Sequence, residues 1–164
     1  MIETRKATLE DIDKLAPLFD LYRMFYRQTS DVEGCKHFLT ERLTQNQSVI
    51  LIATDEEDDI VGFIQFYPLF SSVGLQKTWL LNDVYVREKK RKRGIGKTLL
   101  NAAKLFGKET GAAWLLLQTA NDNYIAQIVY EKNGWERMED MFYQLNILEG
   151  SQNQSKGSAH LRAL

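Results

Sequence analysis

Between Ser48 and Val86 three runs rich in β-branched and aromatic residues follow one another with only short polar breaks: "SVILIAT", "DIVGFIQFYPLF" and "TWLLNDVYV". Runs of this kind read as strands, and the acidic "DEEDD" between the first two has the make-up of a hairpin loop. Any fold for this chain must therefore hold a sheet at its centre. Pro68 has no N–H to give to a ladder, so it should end the second run or place it at an edge.

The flanking segments are helical. "IETRKA" reads as a short first strand. Thr8 with Asp11 then resembles a capping box with Asp in place of the usual Glu or Gln. Leu9, Ile12, Leu15, Leu18, Phe19, Tyr22, Phe25 and Tyr26 form a helical stripe, which Pro17 should kink or break. A second helix is expected over about Val32 to Gln45, with Gly34 weakening its start. After the strands, Ile95, Leu99, Ala102, Ala103 and Phe106 repeat at helical spacing towards a cap at Gly111. "AAWLLLQT" reads as a buried strand, "NDNYIAQIVYEKN" as a helix stopped by Gly134, and "WERMEDMFYQLNI" as two short closing strands. The result is a mixed α/β sheet without internal repeat or linker. Residues 149–164 are polar and aperiodic, a tail predicted to be disordered or foreign to the fold; the domain is 1–148.

Composition narrows the function. With 164 residues, 44% hydrophobic and 26% charged, and a formal net charge of −1, the chain is an ordinary globular domain without the overall basic face of a general nucleic-acid binder. Cys35 is the single cysteine, and His37 and His160 are far apart, so neither a disulfide nor a metal site is expected. No apolar run approaches the roughly 20 residues that span a bilayer. "MIETRKATLED" lacks a signal-peptide core, and the expected compartment is cytoplasmic.

One local feature departs from this ordinary background. Of the twelve residues Arg87 to Thr98, "REKKRKRGIGKT", seven are Lys or Arg and two are Gly. A nucleotide P-loop would need a further glycine where Arg91 stands, and a dinucleotide signature would need its third glycine where Leu99 stands. What remains is a strand, a basic glycine loop and a helix. Glycines admit a pyrophosphate, the helix N-terminus offers its free N–H groups, and surrounding cations can hold a further phosphate.

Arg91-x-x-Gly94-x-Gly96 in this setting resembles the acyl-CoA signature of the GNAT family of N-acetyltransferases. Asn123-x-x-Ala126-x-x-x-Tyr130-x-x-x-Gly134-Trp135 resembles that family's second motif, with Trp135 where Phe is usual. The resemblance runs to about Ile147. It implies the GNAT fold, a mixed and mostly antiparallel central sheet flanked by helices, and direct acetyl transfer from acetyl-CoA to a primary amine. That amine is left open between a small amine, a polyamine, an amino acid and a lysine side chain. The alternative is a non-catalytic acyl-CoA-binding or regulatory domain of the same fold.

The resemblance also assigns residues. Val84, Tyr85 and Val86 would lend their backbone to the pantetheine arm. Arg91, Lys92, Arg93, Gly94, Ile95, Gly96, Lys97 and Thr98 would hold the pyrophosphate. Tyr130 would be the general acid, since a phenol with reference pKa about 10 keeps its proton at neutral pH. Ala126 belongs to the same motif. Asn123 has two equal readings, cofactor contact and helix cap. Asp83 is the candidate base, but Asn82 beside it leaves only one acid where polyamine-binding members often carry two. Tyr22 and Tyr26, with Phe25, Asp31 and Glu33, are candidates for an aromatic and acidic acceptor wall suited to a cation; the competing reading places Tyr22 and Phe25 in the core and the acids in solvent. A homodimer is expected, with no nucleic acid, membrane or metal partner.

Overall fold

The computed structural model describes residues 2–139 together with Tyr143, Leu145 and Ile147. Strand β1 (Glu3–Lys6) leads through a 3-10 turn at Leu9–Asp11 into α1 (Ile12–Phe25). The junction is fixed by Asp11, which accepts from the Thr8 N–H at 2.8 Å and from both terminal nitrogens of Arg5 at 2.7 Å. Arg5 first, with help from the Thr8 N–H, lowers the Asp11 carboxyl to about 2. The expected capping arrangement is thus present, fortified by β1. The expected break at Pro17 is not: α1 continues through it, with the ring on the exposed side. Leu15, Leu18, Phe19 and Tyr22 are buried along the opposite stripe and hold the helix together across the missing N–H.

Helix α2 (Val32–Thr44) starts at Asp31, whose Oδ1 accepts from the Gly34 N–H at 2.8 Å. A Cβ at position 34 would fall 2.2 Å from Asp31 Oδ2. The glycine that lowers helix propensity therefore makes room for the cap. Strands β2 (Val49–Thr54), β3 (Ile60–Ser71) and β4 (Gln76–Val86) form an antiparallel meander. Pro68 stays inside β3, beyond Phe66 where pairing with β2 ends, so its missing donor faces no neighbour. A 3-10 turn at Glu88–Lys90 precedes α3 (Ile95–Glu109). Then follow β5 (Leu115–Leu117), parallel to β4, and α4 (Tyr124–Lys132). Strand order is β1-β2-β3-β4-β5, mostly antiparallel as expected. The expected buried strand at "AAWLLLQT" is shorter than its run and only half-buried. Trp135–Glu139 form no strand, and most of the rest of the expected closing hairpin lies outside the described residues.

The strands alternate between two cores. Ile50, Ile52 and Phe63 face α1 and α2, whereas Leu51, Ala53, Ile64 and Phe66 face α3 and α4. Gly62 lets α3 settle on the sheet, because a Cβ there would lie 3.0 Å from Leu99 Cδ1. In β4 the alternation is interrupted. Gln65 of β3 pairs with Asp83 and Phe66 pairs with Leu81, so Asn82 is the extra residue of a β-bulge. Trp79 and Leu81 face α3 before it; Val84 and Val86 do so after it. Asp83 and Tyr85 are thereby delivered to the α1 side.

Candidate active site

The end of β4 is where the sheet opens. Pairing with β5 stops at Leu81, and from Asn82 to Val86 β4 has no partner on that side among the described residues. The bulge sits at the start of this opening and bends the strand there. Val84 and Val86 turn their side chains into the core, leaving only their backbone for the opening. Tyr85 turns the other way, among Tyr22 and Phe63.

The basic loop continues from this strand end, and its cations divide into two groups. Arg87 donates to Ile60 O at 3.3 Å, and Lys90 bonds Asp55 in the β2–β3 turn at 2.8 Å. Arg91 donates from Nε to Val86 O at 3.0 Å, with its guanidinium carbon 5.4 Å from the Phe25 ring centroid and 5.3 Å from that of Tyr85. These three hold the loop. Lys89, Lys92, Arg93 and Lys97 are exposed. Lys92 (φ 61°) and Gly94 (φ 81°) take left-handed conformations that turn the chain into α3. Ile95 anchors that turn in the core, and the Thr98 N–H makes the first helical bond, to Gly94 O at 3.0 Å. The N–H groups of Ile95, Gly96 and Lys97 have no helical acceptor and carry the positive end of the helix dipole. They lie beside the exposed cations Lys92, Arg93 and Lys97 at the start of α3.

Helix α4 brings the second motif to the same core. Asn123 is a cap, accepting from the Ala126 N–H at 3.4 Å, and Ala126 is buried. Gly134 ends the segment at φ 84°. Tyr130 is 3% exposed, and its hydroxyl is buried without a hydrogen-bond partner among the described residues. Burial, then Tyr26 nearby, raises its pKa well above that of an ordinary phenol. A buried hydroxyl without a partner costs roughly 1–3 kcal/mol, so Tyr130 Oη keeps an unused hydrogen-bond donor among the described residues.

On the α1 side, Asp83 is the hub of a buried network. Its Oδ1 accepts from Tyr22 at 2.7 Å and from Asn82 at 3.0 Å; its Oδ2 accepts from Gln65 at 2.8 Å. The Gln65 amide also donates to the Tyr67 hydroxyl at 2.9 Å, and its oxygen accepts from Ser48 at 3.1 Å. Burial, then Asp83, pushes Tyr67 up to about 12 and raises Tyr22 much further. Tyr22 packs edge-on against Tyr26 at 5.0 Å, and Tyr26 against Phe25 at 5.2 Å. Asp31 and Glu33 do not join this cluster. Asp31 caps α2, and Glu33 turns to Lys36, which also holds Asp13 near the far end of α1.

The sequence reading passed over Gln65, Tyr67 and Asp55. Gln65 had a usable signal, being the single polar residue inside the apolar "GFIQFY". Asp55 had none beyond its place in an acidic turn.

A sequence model of the Acetyltransferase (GNAT) family matches residues 15–135. The chain belongs to the GNAT family. It is an acyltransferase of that family, and two relatives agree. An uncharacterized N-acetyltransferase of Bacillus subtilis, YhfO, is 45% identical over 146 residues, 87% of this chain and 96% of its own. A probable acetyltransferase of Haemophilus influenzae is 36% identical over 119 residues, 73% of this chain and 82% of its own. A crystal structure of a probable acetyltransferase superposes with TM-score 0.84 at 44% identity, covering 90% of this GNAT chain and 99% of that one.

Proposed function

We propose that the protein transfers acetyl from acetyl-CoA directly to a primary amine. The observation that carries this reading is Tyr130, whose hydroxyl is buried and without a partner among the described residues, on a motif helix that shares the core of Val84 and Val86. The residues present fit the cofactor: helix N–H groups and exposed cations at the start of α3, strand backbone at Val84 to Val86 without a neighbour on the β5 side among the described residues, and a Tyr130 hydroxyl with no acceptor among them. A predicted acetyltransferase of Clostridium acetobutylicum, 18% identical and similar in fold (TM-score 0.71), was crystallised with acetyl-CoA.

When bound, acetyl-CoA supplies an acetyl group activated on sulfur. N–H groups from Lys92 to Lys97 hold the pyrophosphate, the Thr98 N–H being taken by Gly94 O, and exposed Lys92, Arg93 and Lys97 screen its charge. Val84 to Val86 line the arm with backbone groups, and an N–H there polarises the thioester carbonyl. Tyr130 gives its Oη proton to the departing thiolate. Asp83, enclosed by three donors, works through Tyr22: a proton accepted at Tyr22 Oη is matched by one passed on to Asp83, and no tyrosinate forms. The same reading includes a cytoplasmic setting, in which the single thiol Cys35 stays reduced. It also includes a homodimer, supported by exposed Tyr143, Leu145 and Ile147; light scattering on the purified protein tests it.

The decisive test is calorimetric titration with acetyl-CoA, with ATP and a short DNA duplex as controls. Acetyl-CoA binding alone is the expected result. Preference for ATP or DNA would overturn the cofactor assignment. Binding without thiol release over a broad amine panel would favour the non-catalytic alternative.

A further inference from the structure

We infer that the acceptor is an amine with a single positive charge on an apolar or aromatic body, and that diamines and polyamines are poor substrates. The inference rests on the acetyl-transfer reading above and narrows it.

An aromatic wall can hold a cation through its ring faces, and acids beside it can pair a second ammonium. Here the protein has already used both capacities. Arg91 sits 5.4 Å from the Phe25 ring centroid and 5.3 Å from that of Tyr85, so one resident cation occupies the two rings that flank the cluster. Arg27, exposed, follows directly after Tyr26. A second ammonium brought to this wall meets positive charge.

The acids are engaged as well. Every carboxylate on α1, α2, their connection and β4 has a partner. Asp83 is closed off by Tyr22, Asn82 and Gln65. Asp20 is buried under Ser30 at 2.6 Å, the Asp31 N–H at 2.8 Å and Arg23 at 3.3 Å. Asp31 caps α2 through the Gly34 N–H. Asp13 and Glu33 share Lys36, and Glu41 pairs with Arg42 at 2.7 Å. Drawing any of these to a substrate ammonium would break an existing contact, and for Asp20 or Asp83 it would strip a buried carboxylate of its donors.

What the wall offers instead is apolar surface. Leu21, Met24 and Phe25 lie at i, i+3 and i+4 on one face of α1 and are 40%, 47% and 39% exposed. Phe25 joins this stripe to Tyr26 and Tyr22, and through Tyr22 to Asp83. An amine placed near Tyr22 would lay its body along the stripe, gaining about 25 cal/mol per Å² of apolar surface removed from water.

The test is thiol release from acetyl-CoA with phenethylamine, putrescine and spermidine, with acetyl-CoA affinity measured calorimetrically on the same preparation. The expected kcat/KM for phenethylamine exceeds that for putrescine by at least about tenfold, the factor that 1.4 kcal/mol of uncompensated charge burial produces. Met24→Glu, an exposed change outside the catalytic groups, adds the missing acid and should move that ratio at least about fivefold towards putrescine. Putrescine or spermidine used as well as phenethylamine would overturn the inference while leaving acetyl transfer intact. A ratio unmoved by Met24→Glu would also overturn it, since the stripe would then lie away from the acceptor. Acetyl-CoA bound with no amine acetylated would remove the transfer reading, and this inference with it.

Discussion

Tyr130 and Tyr22 are both buried phenols held far above the ordinary tyrosine pKa, and they differ in what their hydroxyls meet. Tyr22 already donates to Asp83, whereas Tyr130 has no acceptor among the described residues. Removing each hydroxyl should therefore fail differently. Tyr130→Phe deletes an unsatisfied group, so the melting temperature should hold or rise and acetyl-CoA affinity should survive. Turnover should fall by about 10²–10⁴-fold, in the range of a lost general acid; unchanged turnover would remove the role. Tyr22→Phe removes one of the two donors to Asp83 Oδ1, leaving Asn82, and should cost about 1–3 kcal/mol of stability in denaturant unfolding. Its rate should also shift towards alkaline pH, following the fraction of acceptor that arrives already neutral. A uniform drop at every pH would mean that Tyr22 only supports the fold.

At the scale of elements, the cofactor loop and the acceptor helix are one unit. Arg91, the first residue of the acyl-CoA signature, bonds the last carbonyl of β4 and lies over Phe25 at the end of α1. Phe25→Ala, far from any phosphate, should weaken acetyl-CoA binding about twofold to fivefold by loosening Arg91, the range expected for losing one cation–π contact of about 0.5–1 kcal/mol. Titration calorimetry measures it, and the loss should vanish in a background where Arg91 is already Ala. The elements themselves were largely legible in the sequence, because strand runs, capping residues and the glycine loop are local signals. The wall was not. Whether Asp31 and Glu33 face a substrate is decided by Gly34 and Lys36, and whether Phe25 is open to a cation is decided by a loop more than sixty residues away. Asp83 was found as a residue but not as a network. Counting in twos from Leu81 puts it with the α3 core, and only the bulge at Asn82 turns it towards Tyr22.

For the whole molecule, the acid limit of stability should trace to the junction of β1 and α1. Asp11 titrates at about 2 in the folded protein, against about 3.9 in an unfolded chain. Its pKa is depressed, so its contribution is full above about pH 4 and is lost as pH falls towards 2. Arg5 is about half-exposed, which leaves about 1–2 kcal/mol after solvent screening. Melting curves from pH 5 to 2 should drop more steeply for the wild type than for Asp11→Asn; parallel curves would place the acid-labile contact elsewhere. The bulge bears on the molecule in another way. Removing Asn82 would leave Leu81 opposite Phe66 and Asp83 opposite Gln65, every neighbour facing as it does now. What disappears is the bend that parts β4 from β5. Deleting Asn82 should therefore leave the melting temperature close to that of the wild type while acetyl-CoA affinity falls, two measurements that separate the shape of the strand from the strength of the sheet.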